Sequence, residues 1–307
     1  MNQTVALPKL EFVPITPDLR QRYAATVANT CRDADHAFVN FYIWNSAYHQ
    51  ELAFFRTGEG DRAVIRFCDD AGSCRFLFPA GRGPLPPVIA EMRKIAHERG
   101  EIFSISAATE SQRAELEAAM PNSFSAQEDR DIADYLYSAE SLATLAGKKL
   151  HGKRNHINAF SSAHQWELLP LTPDRFDSCR AVLDAWGAEH GGATAEAERE
   201  AIERAFAAFD ALGLEGALLL ADGEPAAFTL GSMLTSDTLC IHVEKALSSL
   251  NGAYPTINRE FVRMMLQKHP ALTTVNREDD MGLENLRKAK LSYRPAELLT
   301  KFTLTER

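Results

Sequence analysis

At 307 residues, 45% apolar and 24% charged, the chain has room for two domains of ordinary size and the composition of a soluble globular protein. A formal net charge of −9 argues against a nucleic-acid-coating protein and predicts no DNA partner, while leaving room for a local basic groove. No stretch approaches the roughly 18 uninterrupted apolar residues of a membrane span.

Met1–Asp18 has no basic start followed by an apolar core, so it does not read as a signal peptide. The five cysteines (Cys31, Cys68, Cys74, Cys179, Cys240) form no CxxC and no metal-ligand spacing. Reduced thiols in a cytoplasmic protein without a metal are expected, with Cys68 and Cys74 facing each other as paired thiols rather than a disulfide.

In chain order, Thr16 before Pro17 predicts a capped helix from Pro17 to about Thr30. Ala37–Ile43 and Glu51–Phe55 read as apolar or strand-like. Ala63–Cys68 and Cys74–Phe78 flank Asp69–Ser73 as a hairpin. A helix from about Pro87 to Arg99 ends at Gly100. A strand at Ile102–Ser106, a helix at Ser111–Met120 and a strand at Ile132–Tyr137 complete the first half. Gly147–His156 carries four basic residues, two histidines and no acid, and reads as the junction between halves.

The second half repeats the order. Helices are predicted over 173–189 and 195–212, and strands over 217–221, 226–234 and 238–243, the first two joined by an Asp222-Gly223 turn. Then follow a helix from about Pro255 to Lys268, a strand Thr273–Asn276, a short basic helix and a final strand over 298–304. Helices, a strand meander, helix, strand, helix, strand thus occur twice, without a residue-level repeat. The expected fold is α/β, as two modules (1–146 and 161–307) flanking a basic junction (147–160), each a mixed sheet with helices on both faces.

Three stretches carry candidate chemistry. Along a strand over 239–245, alternation puts Cys240, His242 and Glu244 on one face and Lys245 on the other. An imidazole and a carboxylate so placed suit general-base work or a structural hydrogen-bond network. Asn251–Glu260 opens a helix after a glycine turn, where free N–H groups favour anions and Asn258 can meet a ligand or cap the backbone. Asn276–Pro295 runs from a strand through an acidic knot (Asp279, Asp280) into a basic helix. Charges gathered at a strand's carboxyl end are typical of α/β sites. Arg287, Lys290 and Arg294 suit a phosphate or the acceptor end of a tRNA.

Tyr135–Tyr137, Lys148–Asn158, His242–Ala246, Gly252–Tyr254 with Asn258, and Asn276–Gly282 through Lys290–Pro295 together resemble the C-terminal domains of phosphatidylglycerol lysyltransferases and their standalone relatives. The resemblance implies two tandem acetyltransferase-like (GNAT) folds related to the Fem peptidoglycan aminoacyltransferases. It implies movement of an aminoacyl group from charged tRNA. It also implies that Lys245, Arg277, Asp279, Asp280, Arg287 and Lys290 line a transfer site, with segment 148–154, including Lys153 and Arg154, touching a phosphate. Asn276 and Tyr293 belong to the same motifs and join the binding candidates; His242, Glu244, Asp279 and Asp280 are the catalytic ones. Neither half shows the R-x-x-G-x-G/A loop that cradles coenzyme A. No cofactor is firmly implied; the expected donor is aminoacyl-tRNA or acyl-CoA and the acceptor an amine or hydroxyl. The alternative is a non-catalytic ligand-binding or sensor protein on the same scaffold.

Overall fold

The paired β-prone runs around residues 69–72 form the hairpin the sequence predicts, and the first sheet grows outward from it. The computed structural model describes residues 9–68, 73–190 and 193–307, so that turn lies outside the described residues. The chain divides into two compact units, one up to Ala133 together with Leu299–Arg307, the other Asp134–Leu298.

In the first unit the strands are β1 (Val13–Pro14), β2 (Gln50–Thr57), β3 (Gly60–Cys68), β4 (Cys74–Leu77), β5 (Ala80–Gly81) and β6 (Ser104–Thr109). They run in the order β1-β2-β3-β4-β6, with β5 beside β3. Among the described residues of this unit only β4 and β6 pair in parallel, because the helix α4 (Leu85–Glu98) carries the chain back between them. The C-terminal strand adds to β6, antiparallel, from Lys301 opposite Thr109 to Thr305 opposite Ser104. Phe55, Val64, Phe76, Val88, Met92, Phe103 and Ile105 form the core. The remaining helices are α1 (Arg20–Val27), α2 (Phe38–Ile43), α3 (Asn45–Tyr48) and α5 (Glu110–Ala119).

Three expectations change here. The run 37–43 is helical from Phe38 onward, because burial of Phe38, Val39, Phe41 and Ile43 on a short helix satisfies an apolar run as well as a strand would. Thr16 precedes the first helical turn in extended backbone, but its side chain makes no cap bond. Cys68 and Cys74 form a disulfide, since the β3–β4 register sets them directly opposite each other with Cα atoms 4.1 Å apart.

The second unit begins within β7 (Phe124–Ser138) and holds α6 (Ala139–Thr144), α7 (His151–Ala163), β8 (Trp166–Pro170), α8 (Phe176–His190), α9 (Ala193–Ala207), β9 (Glu215–Ala221), β10 (Glu224–Met233), β11 (Thr238–Ala246), α10 (Ala253–Lys268), β12 (Thr274–Asn276) and α11 (Glu284–Leu291). Glu297 starts the final strand, β13 (Glu297–Glu306). The sheet order is β7-β12-β11-β10-β9-β8. All pairs are antiparallel except β11–β12, which α10 connects as a crossover. The duplicated order is therefore real, but each sheet is completed by the strand that chain order would assign to the other half. Linear boundaries at 146 and 161 miss this exchange.

The expected junction is not a linker. Residues 151–163 form α7, whose Ile157 and Phe160 are buried in the second core with Tyr135, Tyr137, Ile257 and Phe261. A basic stretch without acids reads as solvated, yet its apolar residues at i and i+3 give the helix one buried edge. Among the described residues no helix is long and apolar enough to cross a membrane.

Candidate active site

β11 and β12 pair in parallel only from Thr238/Thr274 to Cys240/Asn276. β12 stops there, whereas β11 continues to Ala246, so the two strands part at their carboxyl ends. Within β11 the ladder to β10 passes from Ile241 opposite Gly231 to Val243 opposite Leu230, leaving His242 as an inserted residue. Such a bulge reverses the alternation beyond it. His242 and Cys240 accordingly meet Glu278, while Glu244 meets Arg277 and Asn258 of α10. The expected shared face of His242 and Glu244 is corrected: each has a different partner.

After Asn276 the chain passes through Glu278 (φ 56°), Met281 (φ 53°) and Gly282 (φ 72°), a cluster of left-handed conformations that side-chain bonds hold in place. Asn276, fully buried, accepts from the Glu278 N–H at 2.7 Å and donates to Asp134 at 2.9 Å. Asp279 and Asp280 accept from the N–H groups of Met281 and Gly282 at 2.9 and 3.0 Å.

The basic helix α11 clamps this loop from the other side. Arg287 grips Asp280 through two N–H bonds of 2.8 Å, and the Tyr135 hydroxyl adds a third at 2.5 Å. These bonds, Arg287's first, hold the Asp280 carboxyl well below the usual carboxylate range. Lys290 donates to the carbonyls of Arg277, at 2.5 Å, and Asp279. Burial, with Arg277 nearby, pushes its pKa down. Arg287 and Lys290 therefore shape the loop and are not arrayed toward solvent as a phosphate cradle. Arg294 is exposed and left-handed (φ 58°), so the three expected basic residues do not act together.

The charges that do converge lie beside the parted strands. Arg277 donates to Glu244 at 2.9 Å, and its guanidinium carbon lies 4.8 Å from the Tyr293 ring centre and 5.7 Å from that of Tyr137. Asn258 donates to the other Glu244 oxygen at 2.9 Å. Lys153 Nζ stands 4.0 Å from the same Tyr293 ring, and burial, followed by the Arg277 charge, lowers its pKa below the ordinary lysine value. Two buried polar atoms here have no hydrogen-bond partner among the described residues: Arg277 Nη1, a donor, and Asn258 Oδ1, an acceptor. A buried polar group without a partner costs about 1–3 kcal/mol, so a pair of them in one cluster marks a place where a ligand's own polar atoms would be stabilised.

Of the other expected residues, Lys245 lies away from this cluster, paired with Glu198 at 2.7 Å and 3.4 Å above the Trp186 ring. Arg154 donates to the carbonyls of Leu145 and of Gly147, the latter at 2.8 Å, which closes the chain before α7. The sequence reading missed Ser232, Tyr137 and Glu278's contact with His242. Tyr137 stood inside a quoted motif; Ser232 carried no local signal.

A family model described as phosphatidylglycerol lysyltransferase, C-terminal, matches residues 29–305. No curated protein matches the sequence. Among solved structures, a conserved protein of unknown function from Bacteroides thetaiotaomicron is 34% identical, with TM-score 0.88 over 97% of this chain and 100% of that one. The L-PGS of Bacillus licheniformis is 15% identical with TM-score 0.65, covering 95% and 92%. A tandem GNAT protein from the clavulanic acid biosynthesis pathway is 15% identical with TM-score 0.54, covering 97% and 98%. The last likeness identifies the fold as tandem GNAT-like.

Proposed function

This chain belongs to the phosphatidylglycerol lysyltransferase C-terminal family, and from that premise we propose that it is an acyl- or aminoacyl-transferase working at the parted ends of β11 and β12. The observation that carries the reading is the buried, unpartnered Nη1 of Arg277, set between Glu244, Tyr293 and Lys153.

An ester or thioester carbonyl placed against Nη1 would gain a donor for the oxyanion formed when an amine or hydroxyl attacks. Glu244 and the tyrosine rings hold the guanidinium so that it need not reorganise. Lys153, with its lowered pKa, has a larger neutral fraction than a free lysine and is the residue to take the acceptor's proton and return it to the tRNA hydroxyl or coenzyme A thiol that leaves as the carbonyl re-forms. His242, enclosed and bonded at both ring nitrogens, is not placed for that task. Lys148 and Lys149, exposed just before α7, extend the positive charge toward solvent, where donor phosphates would approach.

The test is transfer from labelled aminoacyl-tRNA or acyl-CoA to a panel of amines, hydroxyl compounds and phosphatidylglycerol vesicles. Arg277→Lys should lower turnover by about 10²–10³-fold, and Lys153→Ala should remove the rise in rate with pH that deprotonation of the base produces. Turnover unchanged by Arg277→Lys would refute the mechanism. Ligand capture without transfer from any donor would favour the sensor alternative.

A further inference from the structure

Cys240, His242 and Glu278 lie close together in the second unit, 36 residues separating the imidazole from its carboxylate in sequence. His242 Nδ1 is 3.0 Å from Glu278 Oε1, and Cys240 Sγ is 3.6 Å from the same oxygen. One ligating atom from each lies within 4.8 Å of the others. We propose that these three residues form a binding site for a zinc-class divalent ion, with a fourth position open to water.

The donor set is the first reason. Thiolate, imidazole and carboxylate are the three ligand types zinc accepts, and three protein ligands plus a solvent position is its usual open arrangement. Spacing is the second. Bonds of about 2.0–2.3 Å in tetrahedral geometry put neighbouring ligand atoms about 3.3–3.6 Å apart, and the separations of 3.0 and 3.6 Å need only small side-chain movements to meet that. The third is the outer shell. His242 Nε2 is bonded to the Ser232 hydroxyl at 2.9 Å, which fixes the ring and leaves Nδ1 as the ligand atom. A metal-bound histidine characteristically has its second nitrogen so engaged.

Access and charge fit as well. Cys240 and the His242 side chain are enclosed, but the Glu278 side chain is 25% exposed, which supplies the solvent side. Thiolate and carboxylate would balance a divalent charge, so the ion's burial leaves no net charge among the ligands. Two local irregularities bring the ligands together: the bulge at His242 and the left-handed backbone at Glu278. The site is independent of the transfer chemistry proposed above, whose residues are Arg277, Glu244 and Lys153.

The test uses the full chain, stripped with chelator and titrated with Co²⁺ and then Zn²⁺. One equivalent of Co²⁺ should give a thiolate charge-transfer band and the intense visible bands of tetrahedral cobalt, and Zn²⁺ should abolish both. Cys240→Ser should remove the charge-transfer band. Glu278→Gln, at the solvent edge, should weaken binding with its circular dichroism unchanged, so the test survives if Cys240→Ser does not fold. Ser232→Ala should keep the bands and weaken binding about 10–100-fold. No stoichiometric binding by the parent protein would overturn the proposal. So would a thiolate band that survives Cys240→Ser but disappears in Cys31→Ser, which would place the ion at the Cys31, Asp33 and His36 group of the first unit.

Discussion

Replacing Arg287 and Asp280 singly and together tests whether α11 is a clamp on the 277–283 loop. Asp280 is fully buried and receives two N–H bonds of 2.8 Å from Arg287. A hydrogen bond to a charged group contributes about 1.5–3 kcal/mol, so the pair of bonds amounts to about 3–6 kcal/mol before screening. The Arg287 side chain is 30% exposed, and water weakens such a contact. A coupling of about 2–3 kcal/mol between Asp280→Asn and Arg287→Met is therefore expected. Arg287→Met alone should cost about 2–3 kcal/mol, since Asp280 loses its charged partner but keeps its bonds from the Tyr135 hydroxyl and the Gly282 N–H.

The assay is urea denaturation followed by tryptophan fluorescence, since Trp166 and Trp186 both lie in the second unit. Acid supplies a second readout. Asp280's folded pKa is depressed, so its contribution is complete above the unfolded value of about 3.9 and is lost as pH falls through the folded value. Asp280→Asn should flatten that acid limb. A coupling below about 0.5 kcal/mol, within the scatter of independent sites, would refute the clamp.

Gly252 adopts φ +96°, and a Cβ there would stand 2.3 Å from the His156 carbonyl oxygen and 2.9 Å from Phe160 Cβ. Gly252→Ala should cost about 1–3 kcal/mol through backbone strain alone, measured as a lowered Tm; an unchanged Tm would show that α7 does not pack there. In the first unit, burial opposes the His36 imidazolium, but the Asp33 carboxylate 2.6 Å away overrides it and raises the pKa. That stabilisation is complete below the unfolded value of about 6.5 and fades as pH rises through the raised folded value. Unfolding free energy measured from pH 6 to 9 should show this decline, and His36→Gln should lack it.

Element type was legible where a segment's own residues settle it. The β3–β4 hairpin, the proline-led α4, the Asp222-Gly223 turn and α10 all follow from patterns within a dozen residues. So did the duplicated order of elements, and with it the expectation of tandem modules that the fold likenesses bear out. Within the stretch Asn276–Pro295, read from sequence as a candidate site, the left-handed residues Glu278, Met281 and Gly282 and the side-chain bonds that hold them carried no local signal.

What the tertiary structure alone decided is pairing between residues far apart in the chain. A one-residue bulge at His242 flips Glu244 to the other face, and period-two reading has no means of locating an inserted residue, because the partner strand defines it. Burial likewise turned Lys290 from an expected phosphate ligand into a brace for two carbonyls. A long basic side chain looks the same in sequence whether its ammonium meets solvent or backbone, and only the surrounding 277–283 loop sets which. The exchange of final strands between the two sheets, and the meeting of Cys240, His242 and Glu278, are decided in the same way. They are properties of which edges meet, and the sequence by itself determines the edges but not their neighbours.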